Sequence, residues 1–255
     1  MTAAEALSEL RQYQIRLLEI IKTSSAEDIV KQFHSDLSPL SWHLGHCVFT
    51  ENYWLREVVL GREKISDEHK QLYIPELSVK SKRSAALPSH TELCEWAAKT
   101  QQQNIVCFNA LIESTSDAAL MQENYLIFFL GQHYAQHIET ANYILAQRNL
   151  QLQSNFKVEN PLNARAIKRE FTAVNQGCYV IGAENRLRHY DNECAKQSIE
   201  LSGFKIAARA VSNAEFLGFI EGGAYENAEH WGEVAWQWKQ AHSITHPQHW
   251  RCDDA

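Results

Sequence analysis

Up to about residue 150 this chain repeats apolar side chains at helical spacing, and only packing helices against one another buries such faces. The first stretch, residues 3–22, carries Leu7, Leu10, Leu17, Leu18 and Ile21 on one face. A connector follows in which Ser24-x-x-Glu27 reads as a capping box. The second helix is expected to begin at Ser38-Pro39, with serine as N-cap and proline in the first turn, and to end near Gly61. Residues 62–88, interrupted by Pro75, read as a long loop of the kind that is usually functional or disordered. A third helix opens on the capping box Ser89-x-x-Glu92 and carries Leu93, Trp96, Ala97, Ile105, Phe108 and Leu111. The fourth is expected over residues 116–149. Its series Leu126, Leu130, His133, His137, Thr140 and Ile144 places two histidines on the seam that faces the bundle interior.

Beyond about residue 153 the helical period gives way to short segments, residues 171–181 and 198–208, with a brief helix at 212–221 capped by Ser212 or Asn213. The 255 residues therefore divide into an α-helical half and an α+β half. A net charge of −7 without a Lys/Arg block argues against nucleic-acid binding. The longest apolar run, residues 125–130, is too short to cross a bilayer, and the N-terminus lacks the basic and apolar regions of a signal peptide, so a cytoplasmic protein is expected. Six scattered cysteines (Cys47, Cys94, Cys107, Cys178, Cys194, Cys252) contain no C-x-x-C pair and read as reduced thiols.

Twelve histidines exceed an average composition, and their positions separate them. His133 and His137 lie about 40° apart around a helix and can chelate one ion. That spacing is weak by itself, since roughly half of random chains this rich in histidine would contain such a pair. His242, His246 and His249 have similar spacing but sit against Pro247, where a continuous helix is disfavoured, and read as surface or packing residues. Two imidazoles on a buried seam are costly without a partner. The best third ligand is His46, on the stripe Trp42, His46, Phe49 and Tyr53, with His43 one turn earlier as its competitor. Glu139 lies about 200° from His137, on the opposite face, and is assigned a structural role. A His-Glu-x-x-His protease is excluded because Tyr134, Ala135 and Gln136 stand between the two histidines. Three neutral imidazoles without a carboxylate suit a Lewis-acidic zinc or an oxygen-binding iron, and ligand type does not choose between them.

The string Ser38-Pro-Leu-Ser-Trp-His-Leu-Gly-His46, with Glu51-Asn-Tyr-Trp-Leu55 and His133-x-x-x-His137-x-Glu139, resembles the DinB-like domain of ergothioneine-biosynthesis sulfoxide synthases. The segments Tyr190-Asp-Asn-Glu193, Phe204-Lys-Ile-Ala207, Val211-Ser-Asn-Ala-Glu-Phe-Leu-Gly-Phe-Ile-Glu-Gly-Gly-Ala-Tyr225 and the tryptophan-rich stretch 231–238 resemble the opening of a formylglycine-generating-enzyme, or sulfatase-modifying, domain. The resemblance implies an α plus α+β fold. A DinB-like four-helix bundle would occupy residues 1–152, and an incomplete formylglycine-generating-enzyme-like (C-type-lectin-like) α+β domain residues 153–255. It further implies that His46, His133 and His137 bind iron(II), with zinc as the alternative, and that O₂ is used to join a cysteine-type thiol to a histidine-derived imidazole as a sulfoxide. Basic residues ahead of a Leu-Pro pair hold substrate carboxylates in that family. The nearest match here is Lys80 and Arg83 ahead of Leu87-Pro88, where lysine is the weaker bidentate clamp. None of Tyr179, Tyr190 and Tyr225 has a motif-level claim to the family's tyrosine near the iron. The family's sulfatase-modifying domain continues past the tryptophan-rich stretch, so a truncated or split enzyme, completed by a separate chain, is one expectation. The others are a DinB-like zinc-dependent thiol transferase and a non-catalytic metal-binding homologue. The partners expected are a small thiol, a histidine-derived substrate and O₂, with neither nucleic acid nor membrane.

Overall fold

The computed structural model describes residues 2–62, 64, 67–114, 118–152, 170–184 and 189–250. They form two compact units, residues 1–157 with 181–197, and residues 158–180 with 198–255. The domain boundary expected at 152/153 and Cys252 both lie outside the described residues.

The first unit is a helical bundle. Helix α1 (Ala3–Thr23) starts on a Thr2/Glu5 capping box and buries Leu7, Leu10, Leu17, Leu18 and Ile21. The short α2 (Ala26–Val30) is capped by Ser25, one residue later than expected, because the Ser24 hydroxyl bonds back to the Ile20 carbonyl at the end of α1. In α3 (Leu40–Asn52) every residue from Leu40 to Glu51 is buried, so it is the central helix with no solvent face. Pro39, not Ser38, is its N-cap, and the Ser38 hydroxyl instead accepts from Arg83.

The chain continues from α3 into a π-helical stretch, Tyr53–Val59, closed by Leu60 N–H donating to the Leu55 carbonyl at 3.0 Å. Gly61 ends it at φ +60°, a conformation that favours glycine. The expected long loop contains two short helices, α4 (Asp67–Tyr73) and α5 (Arg83–Ala86). Tyr73 makes α4 a structural element, because its ring packs with Trp42 and Phe49 in a small second core.

Helix α6 (His90–Glu113) opens on the Ser89/Glu92 capping box and buries Leu93, Ala97 and Phe108. The last long helix, α7 (Tyr125–Leu152), begins later than expected, since Glu123 and Asn124 adopt positive φ and break the preceding 3₁₀ turn. The start expected at Ser116 lies outside the described residues. Leu126, Leu130, Ile138 and Ile144 of α7 join α1 and α3 in the main core, each such buried side chain contributing about 1.5–3 kcal/mol. Arg148 of α7 pairs with Asp28 of α2 at 2.6 Å.

The second unit carries most of four short strands, β1 (Phe171–Val174), β2 (Gly177–Ile181), β3 (Gln197–Leu201) and β4 (Phe204–Ala207). Strand β1 pairs antiparallel with β4 in the register Phe171↔Ala207 to Val174↔Phe204, and β2 pairs with β3. Helix α8 (Asn213–Glu221) is capped by Ser212 and Glu215, and α9 (Glu233–Ala241) follows. The fold is therefore α plus α+β, a helical bundle followed by a small sheet-containing region. No helix of the described residues is long and apolar enough to cross a membrane.

Candidate metal centre

Three histidines from two helices converge inside the bundle. Among the described residues, His46, His133 and His137 are the one His/Cys/Asp/Glu group whose ligand atoms all lie within 4.8 Å of one another. His46 Nε2 is 3.1 Å from His133 Nε2, and the three rings lie 4.5–5.0 Å apart between centroids. Two nitrogens bound to one ion at about 2.0–2.1 Å stand roughly 3.3 Å apart in tetrahedral geometry and less in octahedral geometry. The observed separation fits an ion between them.

The electrostatics favour neutral ligands. Burial disfavours the imidazolium form, holding His133 down to about 3 and lowering His46, with the Arg83 charge adding to the effect at His46. His137 is depressed most strongly, first by burial and then by its histidine neighbours. All three lone pairs are thus available near neutral pH, and no carboxylate belongs to the group.

Each ring is held differently. The Nδ1–H of His46 donates to the Tyr73 backbone carbonyl at 2.7 Å, which leaves Nε2 free for an ion. The ring stacks on Trp42 with centroids 4.7 Å apart and planes 9° from parallel. Trp42 in turn donates its indole N–H to the Leu72 carbonyl, so α4 anchors both residues. This contact depends on Gly45, where a Cβ would fall on the Tyr73 ring. His133 Nδ1 is buried without a hydrogen-bond partner, while the Nδ1 of His137 lies 2.7 Å from that of His43.

The site opens into a cavity of about 340 Å³ lined by Ser38, Trp42, His43, His46, Lys80, Arg83, His137 and Thr140, among others. Lys80 is exposed, its ammonium donating to the Asp36 carbonyl at 2.8 Å. Arg83 is buried, and its guanidinium lies 3.8 Å from the centre of the Trp42 ring. Its Nε donates to Ser78, Nη1 to Ser38 Oγ, and Nη2 to the carbonyls of Pro75 and Ser78. Four of its five N–H groups are thereby used within the protein, leaving one Nη1 proton. A second hollow of about 310 Å³, lined by Leu10, Tyr13, Ile127 and Phe128 among others, contains no histidine.

Glu139 is exposed and accepts from Tyr143 at 3.4 Å, away from the three imidazoles. His242 and His246 bond to the carbonyls of Trp238 and Pro247 and form no ligand group. Sequence reasoning missed a buried polar network beneath the site. Glu51 accepts from Gln14 Nε2 at 2.9 and 3.0 Å and from the Tyr134 hydroxyl at 2.8 Å, and Gln101 bonds the same hydroxyl. Glu51 five residues after His46, and Tyr134 directly after His133, were its available signals. The Tyr73 carbonyl had none, because any residue type supplies a carbonyl.

The DinB superfamily profile matches residues 9–141. Along nearly its whole length the chain is similar to proteins named hercynine oxygenase. The one from Mycolicibacterium smegmatis is 25% identical over 259 residues, covering 99% of this chain and 59% of the relative. That of Mycobacterium tuberculosis is 26% identical over 260 residues, covering 98% and 59%. That of Mycolicibacterium thermoresistibile is 24% identical over 255 residues, covering 98% and 55%. The chain thus spans 55–59% of the length of these relatives.

Proposed function

The chain is a member of the DinB superfamily, and on that premise we propose that it is an iron(II)- and O₂-dependent protein of the hercynine-oxygenase type. In this reading it forms the C–S bond between a cysteine-type thiol and the imidazole of a histidine derivative. The observation that carries the proposal is the convergence of three neutral imidazoles on one point with no carboxylate among them. The match to hercynine oxygenases over 98–99% of this chain supports the substrate class.

His46, His133 and His137 are the proposed ligands, and iron(II), when bound, supplies the activation of O₂. The protein's own groups do the rest. Tyr73 and Trp42 fix the plane of His46, and burial keeps the ligand rings unprotonated. Lys80 and Arg83 hold a substrate carboxylate at the cavity, Lys80 through its exposed ammonium and Arg83 through its field and its remaining Nη1 proton. The region after the bundle is proposed as part of a formylglycine-generating-enzyme-like domain. Residues that the relatives carry outside the matched stretch would complete the substrate pocket, in a longer form of this protein or in a separate chain.

The test is anaerobic loading with iron(II), followed by O₂ uptake with trimethylhistidine and cysteine or γ-glutamylcysteine. Substrate-dependent uptake with formation of a sulfoxide-linked product is expected. No uptake despite stoichiometric iron removes the catalytic assignment and leaves a metal-binding homologue. The three-histidine donor set also suits zinc, so a zinc-dependent thiol transferase is the second reading. Stoichiometric zinc after purification, with no O₂ consumption, selects it.

A further inference from the structure

His43 lies three residues before His46 on α3, is 5% exposed, and lies outside the group of three. Its Nδ1 faces the Nδ1 of His137 at 2.7 Å, a distance that requires one proton on the line between two neutral rings. Two arrangements satisfy it. If His43 donates, the proton of His137 must sit on Nε2, and that nitrogen has no lone pair for an ion. If His137 donates, its Nε2 is free to ligate, and the proton of His43 moves to its own Nε2.

A ligating His137 selects the second arrangement, because only that one leaves a lone pair on its Nε2. His43 Nε2 is sealed from solvent and has no hydrogen-bond partner. The partner of His46 differs in kind, because the Tyr73 carbonyl can only accept and fixes that ring permanently.

We propose that His43 is a positioning residue for the metal centre: its Nδ1 accepts the Nδ1 proton of His137 and locks that ring in the tautomer whose Nε2 ligates. This rests on the metal-site reading above. His43 is not a fourth ligand, since its Nδ1 is already committed to His137.

The experiment uses the full 255-residue chain, stripped of metal, with cobalt(II) as probe. Affinity is measured by chelator competition, and coordination by the visible cobalt spectrum. His43→Asn keeps an acceptor oxygen near the place of Nδ1, while His43→Leu removes it, and His133→Leu serves as the reference ligand loss. His43→Leu is expected to weaken cobalt binding about 10–100-fold, the range typical of lost second partners of ligating histidines. His43→Asn should remain within roughly threefold of the parent, and His133→Leu should abolish tight binding.

Undiminished affinity in His43→Leu overturns the proposal, and so does a His43→Asn variant as weak as the leucine one. Total loss in His43→Leu, equal to that of His133→Leu, makes His43 a ligand and overturns it too. Should the leucine variant fail to fold, nitrogen-15 NMR of the zinc(II)-loaded parent decides. The proton is expected on Nδ1 of His137 and on Nε2 of His43, and the reverse assignment refutes the inference. A parent chain that binds neither ion removes the metal site itself, an outcome distinct from all of these.

Discussion

Replacing Glu51 by glutamine removes an ionisable group from the centre of the bundle while keeping its shape. Glu51 is fully buried, and burial raises its carboxyl from 4.5 to about 7 despite hydrogen bonds from Tyr134, Asn104 and Gln14 and the charge of Arg11. Because the folded value lies above the unfolded one, the folded state favours the protonated acid. Stability from this group is complete below pH 4.5 and is lost as pH rises through about 7. Between pH 5.5 and pH 8 that loss is about 2 kcal/mol, from the two values and 1.36 kcal/mol per unit. Glutamine has no such slope, although one of its amide faces must meet Gln14 Nε2. That costs about 1–2 kcal/mol at every pH unless the Gln14 amide turns and gives up its bond from Arg11. The measurement is urea unfolding of the metal-free parent and of Glu51→Gln, followed by circular dichroism from pH 5.5 to 8. The stability difference should move in favour of the variant by about 2 kcal/mol as pH rises. Parallel profiles, within about 0.5 kcal/mol, would refute the assignment of a buried acid titrating near neutrality.

The buried histidines act in the opposite direction. His133 is lowered to about 3 from 6.5, so the metal-free protein should lose stability as pH falls from 6.5 toward 3, and saturating zinc(II) should suppress the loss in a thermal melt. His133→Ala is expected to abolish tight metal binding in chelator competition, and His246→Ala to leave it unchanged, since His246 bonds only locally. Gly45→Ala forces a methyl group into the Tyr73 ring, and should cost about 1–3 kcal/mol in urea unfolding while weakening metal binding through loss of the Tyr73 carbonyl from His46. Arg83→Met leaves Ser38 Oγ and the Pro75 and Ser78 carbonyls without their donor, and should lower stability by about 2–3 kcal/mol in the same assay.

Capping boxes and apolar stripes were legible because they are encoded within a few residues of where they act. Ser89 with Glu92 placed the start of α6, and the α1 leucines its buried face, while the cap of α8 was left between Ser212 and Asn213 until the structure showed Ser212 paired with Glu215. Of the failures at helix starts, one was local and one long-range. Ser24 resembled a cap, but its hydroxyl was taken by the Ile20 carbonyl, and Ser38 lost its capping role to Arg83, 45 residues away. The stretch 62–88 read as loop because its helices are too short to show a period, and α4 is held by Tyr73 and Leu72 against Trp42 and Phe49.

At the candidate metal centre the sequence determined that His133 and His137 share one helical face, since four residues fix the angle between them whatever lies around. It also placed His43 and His46 one turn apart on the same helix, and the structure shows both buried. Only the tertiary structure decided that His46 converges on the pair while His43 stands behind His137. That choice depends on how α3 is rotated against α7, His46 and His133 being 87 positions apart in the sequence. The rotation is set by Tyr73 seated over Gly45 and by packing of the whole core, contacts that no local pattern records.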